Sequence, residues 1–147
     1  MARCLIYGSA ILRKKKSIMY ILVALLIGVL IYVLFRPPLQ RSVAFQYRNH
    51  AIVDLTWLPT PISIFVLYHL ADILWALAFA ETVYVIKGSH TLGALIALVS
   101  TALFETMQYF GVFAGTGDIW DVIFVAISLF GYWAIKGRRG VRNENKI

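Results

Sequence analysis

Charged residues are scarce in this sequence. They make up 14% of its 147 residues, whereas hydrophobic residues make up 61%. A soluble domain carries roughly a quarter charged residues, and a chain of this length could not bury so much apolar surface behind so few charges. A bilayer removes that difficulty, because its hydrocarbon solvates the apolar side chains that face it. The shortage of charge therefore predicts an integral membrane protein.

Cysteine is almost missing too. Cys4 is the single cysteine of the chain. One thiol excludes an internal disulfide framework and any metal site built from several thiolates. We therefore expect Cys4 to be incidental to function.

Acidic residues are outnumbered by basic ones, seven against fourteen, which gives a net charge of +7. Such an excess is typical of nucleic-acid-binding proteins, in which basic residues share a solvated face with aromatic ones. Here most of the basic residues precede the first apolar run or follow the last one. That distribution excludes nucleic acid as the expected partner and indicates orientation in a membrane.

Four apolar runs are long enough to cross a bilayer, which takes about 20 helical residues with roughly 17 to 25 tolerated. They predict an all-α fold, an integral membrane bundle of four transmembrane helices. The chain then divides into a basic N-terminus (1–17), a first transmembrane helix (18–35), an extracytoplasmic loop (36–61), a three-helix core (62–135) and a basic tail (136–147). Within the core the helices are expected at 62–86, 91–113 and 119–135. The first helix carries no polar pair and is expected to be an anchor.

The distribution of lysine and arginine sets the expected orientation. Eleven of the fourteen fall on one side of the membrane if both termini lie on that side, and three fall in the loop 36–61. Basic residues are enriched in cytoplasmic segments. Both termini are therefore predicted to be cytoplasmic, in a multi-pass protein of the inner or plasma membrane.

Three predicted helices each carry a pair of polar residues three positions apart, a spacing that places both on one helical face. The pairs are His69 and Asp72, Glu105 and Gln108, and Asp118 and Asp121. All three pairs fall in the outer half of the bilayer, where a carboxylate costs about 3 kcal/mol on insertion scales and usually has a function. We therefore predict a polar site formed by three helices. Its candidate catalytic residues are His69, Asp72, Glu105, Gln108 and Asp121.

Asp118 and Asp121 also have a structural interpretation. Asp118 follows a turn and precedes a predicted helix, which is the position of an N-cap. Asp121 then occupies the third helical position, where an acidic residue completes a capping box. For Asp121 this role and a place in the site remain equal alternatives.

A metal ion is the less favoured occupant of this site. One histidine with several carboxylates suits Mg²⁺, Mn²⁺ or Zn²⁺. The sequence holds no fixed ligand spacing such as H-E-x-x-H, so the cofactor stays unassigned.

Glu81 stands apart from the site, since it lies nine residues after Asp72 and nearer the cytoplasm. It is expected either to pair with Lys87 or to be protonated.

Three short motifs in the C-terminal half occur in a distinctive order. They are residues 72–75 (DILW), 104–108 (FETMQ) and 115–121 (GTGDIWD). In this order the chain resembles the VanZ-like family of small bacterial membrane proteins over about residues 69–135. The resemblance implies a role in the cell envelope and, in named members, resistance to teicoplanin-type glycopeptides. It brings no settled reaction.

The chain departs from the family pattern where the family carries positive or amide groups. Thr116 and Gly117 stand where an arginine is usual, Val125 where an asparagine is common, and Ile73 where a lysine is common. The carboxylates must then be neutralised by protonation, by His69 or by Arg48 of the loop.

Three hypotheses about function follow. The first is a VanZ-like envelope protein that acts on or near a lipid-linked or surface component of the outer leaflet, with membrane lipid or a lipid-linked envelope precursor as its partner. The second is an intramembrane enzyme, with Glu105 or Asp121 as general base and His69 as acid on a lipid headgroup. The third is a proton-coupled transporter subunit, which would need a homo-oligomer because four spans are few. Whether the chain is an enzyme stays open.

Overall fold

The computed structural model describes residues 2–35, 59–113 and 117–144, and places side chains for most of them. The predicted loop 36–61 therefore lies outside the described residues except for its last three positions. Those three open a helix: Pro59 is the N-cap residue and Pro61 lies in the first turn, where a missing N–H group costs nothing.

Every regular element of the described part is a helix, so the all-α prediction is confirmed. Three stretches are long and apolar enough to span a membrane: Lys14–Phe35, His90–Tyr109 and Ile119–Gly137. A fourth span results if Thr60–Val66 and Leu70–Lys87 cross together as one bent pair. The helices are α1 (Ala2–Phe35), α2 (Thr60–Tyr68), α3 (Leu70–Lys87), α4 (His90–Tyr109) and α5 (Ile119–Glu144).

The helix predicted over 62–86 is not continuous, since α2 and α3 meet at an angle of 41°. The backbone stays hydrogen-bonded through the bend, where the His69 N–H donates to the Phe65 carbonyl at 3.0 Å and the Ile73 N–H to the His69 carbonyl at 3.1 Å. Helices usually kink at proline, at glycine or where a side chain intervenes. Residues 62–86 contain neither glycine nor proline. The bend instead coincides with His69, whose ring packs against Phe124 of α5 at 4.8 Å.

Several helix ends differ from their predicted positions. α1 begins at Ala2, so the basic segment before residue 18 continues the first helix, and α5 likewise continues through the basic tail to Glu144. α4 ends at Tyr109 instead of 113, and it begins where the Ser89 hydroxyl accepts a hydrogen bond from the Leu92 N–H at 3.2 Å. Side-chain caps and reversed turns set these ends, and apolar run length does not record them.

α1 is part of the packed bundle, a role that its expected use as an anchor did not include. It runs antiparallel to α3: Ser17 reaches Glu81 near the end of α3, and the ring of Tyr32 stacks on Trp75 near its start, 5.9 Å between centroids. Ala24 and Ile31 are buried in this contact. The apolar composition of α1 concealed this role, because a lipid-facing side and a packed side have similar composition in a membrane.

Small residues let the helices approach closely. The buried face of α3 is rich in alanine, and Gly93 of α4 lies directly against the backbone of Ala80. Close approach through small side chains is the usual way in which helices pack in membranes. The core that results contains Ile73, Ala76, Ala80, Ala97, Val125, Leu129 and Tyr132. Large apolar side chains such as Leu26 and Phe130 are exposed on the outside, as a lipid-facing surface requires.

Candidate polar site

Polar contacts between helices gather at the two ends of this apolar bundle. The first polar cluster contains His69, Asp72, Glu105, Asp118 and Asp121. The second polar cluster contains Ser17, Glu81, His90, Tyr132 and Lys136. The first holds four of the five residues predicted as a site, whereas of the second only Glu81 was singled out in the sequence.

In the first polar cluster, His69 and Asp121 form a buried hydrogen-bonded pair. Nδ1 of His69 lies 2.6 Å from Oδ1 of Asp121, which joins the bend between α2 and α3 to the first turn of α5. An ionised carboxylate only accepts hydrogen bonds, so Nδ1 carries the proton and donates it. Asp121 therefore fixes the orientation of the imidazole.

Asp118 is the N-cap of α5, as the sequence predicted. Its Oδ1 accepts the N–H of Trp120 at 2.9 Å. Its own N–H donates to Oε2 of Glu105 on α4, also at 2.9 Å. In a capping box that N–H would be bonded by the residue at the third helical position, which here is Asp121. Here Glu105 accepts that N–H and Asp121 bonds His69, which favours the second of the two alternatives for Asp121, a place in the site.

Gly117 makes the contact between Glu105 and Asp118 possible. A Cβ atom at this position would lie 2.6 Å from the backbone nitrogen of Tyr109 and 2.7 Å from the carbonyl oxygen of Glu105. Those distances leave no room for a side chain, so only glycine lets the segment before α5 touch the end of α4. The sequence predicted a turn here but not this close approach.

Asp72 is the fourth carboxylate of the cluster, whereas Gln108 lies on α4 and is not one of its five residues. Asp72 is half-buried in the first turn of α3, and its charge acts on Glu105 together with those of Asp118 and Asp121. Gln108 is half-buried one turn beyond Glu105, and its backbone carbonyl oxygen accepts the N–H of Gly111 at 2.9 Å. A functional role for either residue stays a prediction.

Three members of the cluster could present ligands to a metal ion. His69, Asp118 and Asp121 can each bring one ligand atom within 4.8 Å of the others. Their donors suit a divalent ion. In this geometry, however, His69 and Asp121 bond to each other, and Asp118 caps α5. The arrangement thus serves hydrogen bonding better than coordination.

The second polar cluster is centred on Glu81, whose surface is 1% exposed. Its carboxylate accepts hydrogen bonds from Oγ of Ser17 at 2.5 Å, from the Tyr132 hydroxyl at 2.8 Å and from Nζ of Lys136 at 2.8 Å. The ion pair is therefore with Lys136 of α5, and the expected pairing with Lys87 is wrong. A carboxylate buried in an apolar bundle needs such partners.

Aromatic rings surround the Lys136 ammonium of this cluster. Nζ of Lys136 lies 4.8 Å from the ring centre of Tyr20 and 5.2 Å from that of Tyr132, within the range of cation–π attraction. The Tyr132 hydroxyl is also 2.8 Å from Nδ1 of His90. One signal in the sequence pointed here: Tyr132 and Lys136 are four residues apart and share a helical face.

Comparison with known proteins yields no relative: no family model matches the sequence, and no curated protein or solved structure matches it. The resemblance to the VanZ-like family therefore depends on the three motifs alone. A function has to be argued from the geometry of the two clusters.

Proposed function

We propose that this chain is a multi-pass envelope membrane protein of the VanZ-like kind, whose first polar cluster binds the headgroup of an outer-leaflet lipid or of a lipid-linked envelope component. The observation that carries the proposal is the convergence of His69, Glu105 and Asp121 from three helices at one end of an apolar bundle. Ionisable residues within transmembrane helices are rare and usually mark a functional site.

The contacts of the second cluster support a placement of the site in the outer leaflet. Ser17 and Lys136 both bond to Glu81, so the basic segments at the start of α1 and at the end of α5 lie at the same end of the bundle. Basic segments favour the cytoplasmic side. Both termini are then cytoplasmic, and the first polar cluster lies at the opposite end, at the depth of the outer headgroups.

The chemistry of the cluster favours a ligand that donates hydrogen bonds. Carboxylates accept hydrogen bonds and cannot donate them when ionised. Oε2 of Glu105 accepts the N–H of Asp118, and an ionised carboxylate has about four acceptor sites, so Glu105 has further acceptor capacity for a ligand. The hydroxyls of a sugar or the ammonium of an amine headgroup would meet this set of acceptors.

Neutral isosteric variants test the proposal. Glu105→Gln and Asp121→Asn keep the shape of each side chain and remove its charge. A hydrogen bond to a charged group contributes about 1.5–3 kcal/mol, so each variant should retain its lipid about tenfold less tightly or weaker still. Native mass spectrometry of the full chain in nanodiscs of mixed envelope lipids measures which lipids stay bound.

Glu144→Gln is the matched control, because it makes the same chemical change at the last residue of α5. Its lipid profile should equal that of the unmodified protein. If folded Glu105→Gln and Asp121→Asn variants also retained the lipid profile of the unmodified protein, headgroup binding at this cluster would be ruled out.

The His69–Asp121 pair also favours the second hypothesis, an enzyme. A carboxylate that holds Nδ1 of a histidine orients Nε2 for proton transfer, so His69 would be the acid or base and Asp121 its positioning residue. Catalysis predicts that headgroups are cleaved or transferred over time in the same nanodiscs. Binding alone predicts unchanged lipids, and mass spectrometry of the extracted lipids separates the two.

A further inference from the structure

The second polar cluster takes no part in the proposed function, yet it contains a continuous hydrogen-bonded chain. His90, at the start of α4, is 2.8 Å from the Tyr132 hydroxyl through Nδ1. The Tyr132 hydroxyl in turn donates to Oε2 of Glu81 at 2.8 Å. The chain thus runs from a half-exposed histidine to a fully buried carboxylate.

The direction of each hydrogen bond in this chain is fixed. Tyr132 has one hydroxyl proton, and it points to Glu81. The Tyr132 oxygen can therefore only accept from His90, so Nδ1 of His90 carries a proton and donates it. All donors point toward Glu81, which is the alignment that proton transfer along the chain requires.

We propose that Glu81 is a proton-binding site, loaded through His90 and Tyr132 from the end of the bundle where the basic segments lie. A hydronium ion of the aqueous phase protonates Nε2 of His90 and leaves as water, the Nδ1 proton passes to the Tyr132 oxygen, and the hydroxyl proton of Tyr132 passes to Oε2 of Glu81. One proton is gained by Glu81, while His90 returns to its neutral form with the proton on Nε2. Chains of carboxylates and histidines in membrane helices are typical of such relays.

The position of His90 suits the entry of protons. It is the first residue of α4, directly after the short turn that follows α3, and it is half-exposed. Its ring stacks on Tyr84 with centroids 3.6 Å apart, which holds the imidazole against Tyr132. Protons from the aqueous phase at this end therefore reach Nε2 without crossing the apolar core.

Loading the site changes the contact between α3 and α5. The groups that face Glu81 are Ser17 and Tyr20 of α1, His90 of α4, and Tyr132 and Lys136 of α5. A proton on Oε2 competes with the ammonium of Lys136, which bonds to the same oxygen. The Lys136 side chain is 33% exposed, so its ammonium can turn to water once Glu81 is neutral. Proton binding thereby loosens the ion pair that joins α3 and α5.

Time-resolved infrared spectroscopy on the full chain in nanodiscs tests the proposal. Release of a caged proton should produce a carbonyl band of a protonated carboxyl group in the unmodified protein, and Glu81→Gln should lack it. Tyr132→Phe keeps the ring and removes the hydroxyl, so the same band should appear about a hundredfold more slowly, since a positioned proton donor contributes about that much to rate.

Tyr84→Phe is the control, because Tyr84 contacts His90 without being a member of the chain, and its band should appear at the unmodified rate. If Tyr132→Phe does not fold, His90→Ala interrupts the same chain one step earlier and should show the same delay. The proposal is overturned if no band disappears in Glu81→Gln. It is also overturned if removal of the Tyr132 hydroxyl, or of the His90 ring where Tyr132→Phe does not fold, leaves the rate unchanged, which a merely structural role for the chain predicts.

Discussion

Replacing Lys136 by methionine should lower the free energy of unfolding by about 3–5 kcal/mol, the usual effect of removing one partner of a buried ion pair. Glu81 is 1% exposed and would lose its only cation among the described residues. Methionine keeps the length of the lysine stem, so packing against Tyr20 and Tyr132 changes little. The loss of stability would therefore reflect the missing charge of Lys136 and not a change in side-chain volume. Equilibrium unfolding in mixed detergent micelles measures it.

Adding Glu81→Gln to the Lys136→Met variant should recover most of that loss of stability. A glutamine can accept a hydrogen bond from one of Ser17 and Tyr132 with its oxygen and donate to the hydroxyl oxygen of the other with its NH2 group, and it needs no cation. Replacing both members of a buried pair is often close to neutral, whereas removing one is not. The double variant therefore isolates the interaction between the two charges.

Lys87→Met is the matched control for this prediction. Lys87 is exposed at the end of α3, where its charge interacts mainly with the helix dipole, so its loss should cost at most about 1 kcal/mol. A cost at Lys87 as large as that at Lys136, or a double variant as unstable as Lys136→Met, would contradict the assigned ion pair.

The sequence predicted the features that depend on composition and on depth. Run length and the scarcity of charge are sufficient for an all-helical membrane protein, because a bilayer imposes helix length and internal hydrogen bonding. Depth also predicted that His69, Glu105 and Asp121 would meet. Each lies near the same end of an apolar run, and helices that alternate in direction bring those ends together.

Contacts that depend on helix rotation or on helices far apart in sequence were not predictable in the same way. Lys87 was the nearest cation to Glu81 in the sequence, but six residues place it about a third of a turn round the helix, outside the spacing of three or four that lets helical side chains meet. Lys136 is 55 residues distant and becomes a partner only because α3 and α5 run parallel. The bend at His69 likewise follows a contact with α5, since no residue of 62–86 breaks helices.

The substitution Gly93→Ala should destabilise the bundle, by about 1–3 kcal/mol or more. A Cβ atom at Gly93 would overlap the carbonyl oxygen of Ala80 and would lie 3.2 Å from its carbonyl carbon. These are backbone atoms at a fully buried position of α3, so no side chain can turn aside to make room. α4 would have to move away from α3, which would open the apolar core along Ala76 and Ala97.

Two other glycines show what the same methyl group does in different surroundings. A Cβ atom at Gly131 of α5 meets nothing within 4 Å, so Gly131→Ala should stabilise the helix by about 0.5–1 kcal/mol through its better helix propensity. At Gly28 of α1 the obstacle is the indole of Trp75, an exposed side chain that can shift, so the effect should be intermediate. Thermal unfolding of the three variants in one lipid ranks them. If Gly93→Ala proved as stable as Gly131→Ala, the close contact between α3 and α4 would be wrong.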